Sequence, residues 1–196
     1  MPTAQGTTGP RERLLEAASH LFYEQGYLAT GINQLIEEAG IAKASFYQHF
    51  ASKADLCATY LADSHQRRIQ SLEHYLAPLA DPRTRLLGLF DFLKEWKEQS
   101  SYRGCPFLNI VAEIPSTDSP LRAQALRHYD VLRATVDRLV EAFAVTYRPA
   151  LSPEETKQLS ETLVLLFEGA LVSSQNYAAS WPIDVARAAA ERLLDR

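Results

Sequence analysis

The chain has 196 residues, 46% of them hydrophobic and 22% charged, with a formal net charge of −4. That length can bury roughly 70% of the unfolded surface without a disulfide or metal staple, and eight Gly and ten Pro exclude a low-complexity chain. The longest aliphatic or aromatic run, Leu163 to Phe167, falls far short of the ~20 residues of a membrane span, the opening MPTAQGTTGP lacks the apolar core of a secretory signal, and Cys57 and Cys105 form neither a disulfide framework nor a CxxC zinc pattern. These features predict a soluble, cytoplasmic chain with no membrane partner, and they weigh against nucleic-acid binding through bulk charge.

In chain order, the polar tail to Pro10 is expected to be disordered. Leu14, Ala18, Leu21 and Phe22, with Leu15 beside them, then recur at helical spacing, and Gly26 stops that helix. Ile32, Leu35, Ile36 and Ala39 make a second short stripe closed by Gly40. Phe46 and Phe50 lie one turn apart on a third helix. Ser52 is a plausible N-cap for a longer helix ending near Pro78. Pro82 opens the next, with Leu86, Leu89, Phe90, Leu93 and Trp96 on its core side. Cys105 to Ile114 is a short apolar helix with Pro106 in its first turn. Leu121, Ala125, Tyr129, Leu132, Val136, Leu139 and Phe143 step along a long helix. Leu159 to Tyr177 and an Ala-rich segment after Pro182 complete the set. No period-two run is bounded by hairpin turns, so the expected fold is all-α with about nine helices.

The stretch Thr30 to Lys53, TGINQLIEEAGIAKASFYQHFASK, carries the functional signal. It reads as helix, tight turn, helix. Gly40 permits the turn, and Ile41 fills the angle between the helices. With Phe46 and Phe50 facing inward, Lys43, Ala44, Tyr47 and Gln48 share the outward face, with Ser45 near its start. A cation, a small apolar residue, a hydroxyl and an amide on one helix suit a DNA major groove. An ordinary hairpin with a solvated face explains an exposed Tyr beside Gln and His less well.

The segment LLEAASHLFYEQGYLATGINQLIEEAGIAKASFYQHFASKADL resembles the DNA-binding domain of the tetracycline-repressor family. The resemblance implies an N-terminal three-helix helix-turn-helix domain over 11–53. It also implies a C-terminal helical bundle over 54–196 for ligand binding and dimerisation. The function implied is a homodimeric repressor that leaves a double-stranded operator when a small effector binds. By position, Thr30, Tyr47, His49 and Lys53 resemble phosphate-contacting residues, and Asn33, Lys43, Ala44, Ser45 and Gln48 lie near base edges. Lys43 can donate to guanine, Gln48 can pair with adenine, and the Ala44 methyl can meet a thymine methyl. Gly31 replaces the family's usual hydroxyl residue, and Ala42 removes a helix cap. Up to Lys53 the cations Arg11, Arg13, Lys43 and Lys53 face Glu12, Glu16, Glu24, Glu37 and Glu38. Binding must therefore depend on where the few cations sit.

The C-terminal bundle holds the stretch RGCPFLNIVAEI, which is similar to stretches in a subset of the family. Cys105, Asn109 and Glu113 share one side of its helix, and with Trp96, Tyr102, Phe107, Tyr129 and Phe167 they form the expected ligand pocket. Each aromatic taken alone is more often core, and structural hydrogen bonding accounts for Asn109 and Glu113 at least as well as ligand binding does. Cys105, at a helix N-terminus near Arg103 and beside the unobstructing Gly104, is also a candidate electrophile- or redox-sensing thiol. A bundle with no pocket that only dimerises is the third reading. The scattered histidines form no HExxH, and GxSxG, Walker and Rossmann patterns are absent. No metal, cofactor or catalytic residue is therefore expected, and Cys57 reads as an inert packing residue.

Overall fold

The computed structural model describes residues 9–100 and 104–195. Among them are nine helices and no strand: α1 (Pro10–Glu24), α2 (Ile32–Glu38), α3 (Lys43–His49), α4 (Lys53–Leu76), α5 (Pro82–Gln99), α6 (Pro106–Glu113), α7 (Pro120–Tyr147), α8 (Pro153–Tyr177) and α9 (Trp181–Leu194). Helix α1 begins at Pro10, inside the expected tail, because Gly9 caps it: the Gly9 amide donates to the Glu12 carboxylate at 2.9 Å. Residues 1–8, Tyr102 and Arg103 lie outside the described residues.

Two compact units form. The first joins residues up to Ser64 with Pro106–Ala125; the second joins His65–Cys105 with the chain from Leu126 onward. Helix α6 and the start of α7 thus associate with the helix-turn-helix segment, across the division at 53 and 54 suggested by the sequence. In the first unit α1, α2 and α3 pack on one another, burying Leu14, Ala18, Leu21, Phe22, Leu35, Phe46 and Phe50 as the stripes predict. Ile32 and Ile36 are only half-buried. Phe22 meets Tyr60 of α4 with ring centroids 5.8 Å apart.

In the second unit α5, α8 and α9 pack together. Their core includes Leu86, Leu89, Phe90, Leu93, Leu163, Phe167, Leu171, Ile183 and Ala190. Ion pairs line the α5–α9 seam. Arg187 forks onto Asp91 at 2.6 and 3.3 Å, and Lys94 reaches Asp184 at 2.8 Å.

Helix α8 starts six residues before the expected Leu159, and the reason is a capping box. The Ser152 hydroxyl accepts the Glu155 amide, the Glu155 carboxylate accepts the Ser152 amide, and Pro153 occupies the first turn. Ser152→Ala should lower the melting temperature by about 2–4 °C, the loss typical of one cap at this size. Calorimetry checks this, and an unchanged melting temperature would show that packing alone sets the start of α8.

Candidate nucleic-acid interface

The α2–α3 corner is built by its backbone. Gly40 adopts φ 59°, its amide donates to Glu37 O at 3.0 Å, and the Ile41 amide donates to Ile36 O at 3.2 Å. This paired closure needs a left-handed residue, which Gly supplies without strain. Helix α3 then leaves at a fixed angle, anchored by fully buried Phe46.

The outward face is as the spacing predicts. Lys43, Ala44, Gln48 and His49 are exposed, Ser45 is half-buried, and Asn33 of α2 is exposed. Tyr47 is 50% exposed, with its ring held edge-on to Phe46 at 5.2 Å. The N-caps of α2 and α3, Gly31 and Ala42, supply no side-chain acceptor. The first amides of both helices therefore lack an intrahelical partner.

Two residues expected at phosphates also bond within the protein. Thr30 is buried and its hydroxyl donates to Gly26 O at 2.7 Å, so its side chain locks the α1–α2 turn. The Lys53 ammonium donates to Tyr27 O and Thr30 O, both at 2.8 Å, and lies 4.3 Å from the Tyr27 ring centroid. Both carbonyls belong to the turn between α1 and α2, so the side chain is tied to that turn.

The expected ligand residues belong to both units. Phe107, Asn109 and Glu113 fall in the first unit, while Trp96, Cys105, Tyr129 and Phe167 fall in the second. The Glu113 carboxylate accepts the Leu28 amide at 2.7 Å. Phe107 is fully buried, Asn109 is half-buried, and Phe167 packs on Phe90 at 6.1 Å. Trp96 lies under the Arg68 guanidinium at 3.4 Å and lines a groove of about 530 Å³ with Tyr75 and Phe92.

Around Cys105 the second unit is polar. The Tyr129 hydroxyl is buried beside the thiol, and burial, then Cys105, then Glu168 push its pKa up. Fully buried Lys97 is brought down to about 8, mainly by burial, with Cys105 opposing and Arg68 reinforcing the fall. Buried His128 is brought down to about 3 by burial, then by His65 and Arg68, and the two imidazole Nδ1 atoms stand 3.0 Å apart. Lys97 was legible in principle, since it lies four residues after Leu93 on the core stripe. The Gln175 side chain sits directly over Gly104, so the approach there is covered, not open. Among the described residues no three His, Cys, Asp or Glu side chains gather as a metal site, and no helix is long and apolar enough to cross a membrane.

Residues 14–59 match the family of bacterial regulatory proteins of the tetR type, and residues 82–190 match the tetracyclin repressor-like C-terminal domain. A helix-turn-helix-type transcriptional regulator of the lacX 3′ region of Lactococcus lactis is 30% identical over 115 residues, which cover 57% of this chain and 58% of that protein. The transcriptional regulator LmrA of Bacillus subtilis is 28% identical over 88% of this chain and 90% of its own. The crystal structure of SCO4454, a TetR-family regulator from Streptomyces coelicolor, superposes with a TM-score of 0.85 at 24% identity, covering 95% of this chain and 94% of that one. A corner set by Gly40, an exposed α3 face and two matches that together span most of the chain lead to one conclusion: the chain belongs to the tetracycline-repressor family and is a helix-turn-helix DNA-binding transcriptional regulator.

Proposed function

We propose that the chain is a homodimeric repressor that reads a near-palindromic operator with α3 and releases it when a small effector binds the second unit. The α3 face carries this reading: Lys43, Ala44, Tyr47 and Gln48 project from a helix whose other side is anchored by buried Phe46. Lys43, Ala44 and Gln48, with Ser45 and Asn33 beside them, are assigned to base edges, and Tyr47 and His49 to phosphates. One seven-residue helix reads too few base pairs for useful specificity, so two must act together. The natural test is selection of bound duplexes from a random library. Two symmetric half-sites about 34–36 Å apart, or a multiple of that, support the proposal. A failure to enrich any duplex would refute it.

The dimer surface assigned here is an outward stripe on α8 and α9. On these helices Leu163, Ala170, Leu171, Ala186 and Ala190 are buried within the protomer, whereas Ala178 and Ala189 are not. The helical period turns the buried set inward and leaves Leu165, Val172 and Val185 exposed. For the effector, Trp96, Cys105, Tyr129 and Phe167 remain the second unit's candidates, joined by Lys97. Regulation, not catalysis, is the role this arrangement serves.

A second reading, chemical sensing at Cys105, rests on the amine and phenol beside a thiol that is itself buried. Cys57 is its internal control. Burial, then Glu113, push the Cys57 pKa up to about 12, with Lys53 opposing, so its thiolate is disfavoured relative to that of an ordinary cysteine. Mass spectrometry of iodoacetamide-treated protein at neutral pH should find Cys105 modified at least ~10-fold faster than Cys57. Equal slow rates would remove the sensing role and leave the repressor intact.

A further inference from the structure

We propose that Glu113, the last residue of α6, is a positioning residue for DNA binding: its carboxylate holds the α1–α2 turn and so sets where α2 begins. The proposal rests on the DNA-binding reading and adds a residue far from the helix-turn-helix segment to its machinery.

The observations lie within the first unit. Gly26, at φ 95°, turns the chain out of α1, and Ile32 starts α2. Between them the turn is gripped on several sides. Glu113 Oε2 accepts the Leu28 amide at 2.7 Å across 85 residues of sequence. Glu113 Oε1 occupies the space above Gly26, where a Cβ would stand only 2.6 Å from it. Lys53, at the start of α4, donates to Tyr27 O and Thr30 O, and Thr30 closes the turn on Gly26 O. The carboxylate takes up a turn amide while the ammonium takes up turn carbonyls, so the two side chains grip complementary groups of one short segment.

The end of α6 that carries Glu113 is itself braced. Arg122, in the first turn of α7, donates to Val111 O at 3.0 Å and to Ile114 O at 3.1 Å. Its guanidinium satisfies carbonyls that a helix end otherwise leaves open. A charge-assisted bond from a braced carboxylate to one turn amide makes a stiff link. Any displacement of α6 must therefore either move the turn that precedes α2 or break this bond. Two arrangements of α6 would then give two placements of α2, and hence two affinities for DNA. Leu28 itself is exposed and contributes little packing, so its amide is the hold at that point.

The experiment uses a duplex selected from a random library by the wild-type protein. Glu113→Ala should weaken binding to that duplex by about tenfold or more, a common size for coupling between sites. Glu113→Gln keeps an acceptor oxygen and should recover most of the loss. Hydrogen exchange gives a readout that a general loss of stability would not mimic. In wild-type protein the Leu28 amide should be protected although its side chain is in solvent. That protection should fall in Glu113→Ala and return in Glu113→Gln, with core amides of α1 unchanged. If Glu113→Ala does not fold, the wild-type exchange of Leu28 and the Glu113→Gln affinity decide the question. An unprotected Leu28 amide in wild type, or Glu113→Ala binding within about twofold of wild type, would overturn the proposal. A wild-type protein that selects no duplex would instead overturn the DNA-binding reading beneath it.

Discussion

A protein carrying both Leu165→Arg and Val185→Arg should sediment as a monomer, keep its helical circular dichroism, and bind its operator at least ~100-fold more weakly, because avidity between two linked half-sites is commonly worth that much. Leu165 is 69% exposed and Val185 59% exposed in the protomer, so neither substitution disturbs its core. In a two-fold interface each substitution occurs twice, and cations placed in a desolvated patch without partners oppose association strongly. Leu163→Arg is the contrasting control. Leu163 is 1% exposed, and a charge there enters the packed centre of the second unit and unfolds it. If the double variant remains a dimer with full operator affinity, the α8–α9 stripe is not the interface.

Lys53→Met should destabilise the first unit by about 2 kcal/mol, the scale of a hydrogen-bonded charge with its acceptors left unpaired. Its ammonium holds two carbonyls of the α1–α2 turn at 2.8 Å. Methionine keeps much of the side chain's bulk but donates nothing, so Tyr27 O and Thr30 O lose their partner. Because the turn places α2, affinity should fall alike for every duplex. A lysine that only touched phosphate would behave differently: stability would stay constant and the salt slope would drop by about one. Denaturant melts and salt titrations of the same variant separate the two roles. An unchanged melt together with a reduced salt slope would make Lys53 a phosphate contact alone.

Much of the fold was legible because proline and periodicity mark it. Pro82, Pro106 and Pro120 each stand at the first position of their helices, and the stripe Leu14, Ala18, Leu21 and Phe22 is the buried face of α1. The start of α8 was missed where periodicity outweighed capping: Leu159 opens the apolar stripe, but Ser152 and Glu155 open the helix. The α3 face followed from spacing alone, since buried Phe46 fixes which residues point away. The roles of Thr30, Lys53 and Glu113 could not follow from spacing. Each bonds to backbone atoms, which carry no sequence signal, and Glu113 does so 85 residues away. Which side of α8 the protomer buries was not legible for a related reason. The run Leu163 to Phe167 is apolar on every side, so its pattern alone cannot say which side the protomer buries.

The most direct test of base reading by α3 is to run the random-library selection in parallel on wild type and Gln48→Ala. Gln48 is exposed on α3, and glutamine pairs with adenine through two hydrogen bonds, a contact worth ~1–3 kcal/mol of discrimination. The expected result is a wild-type motif with two symmetric half-sites and a variant motif that loses preference at one matching position in each half, with the remaining positions retained. An identical motif from both proteins would contradict the assignment of base reading to this face of α3.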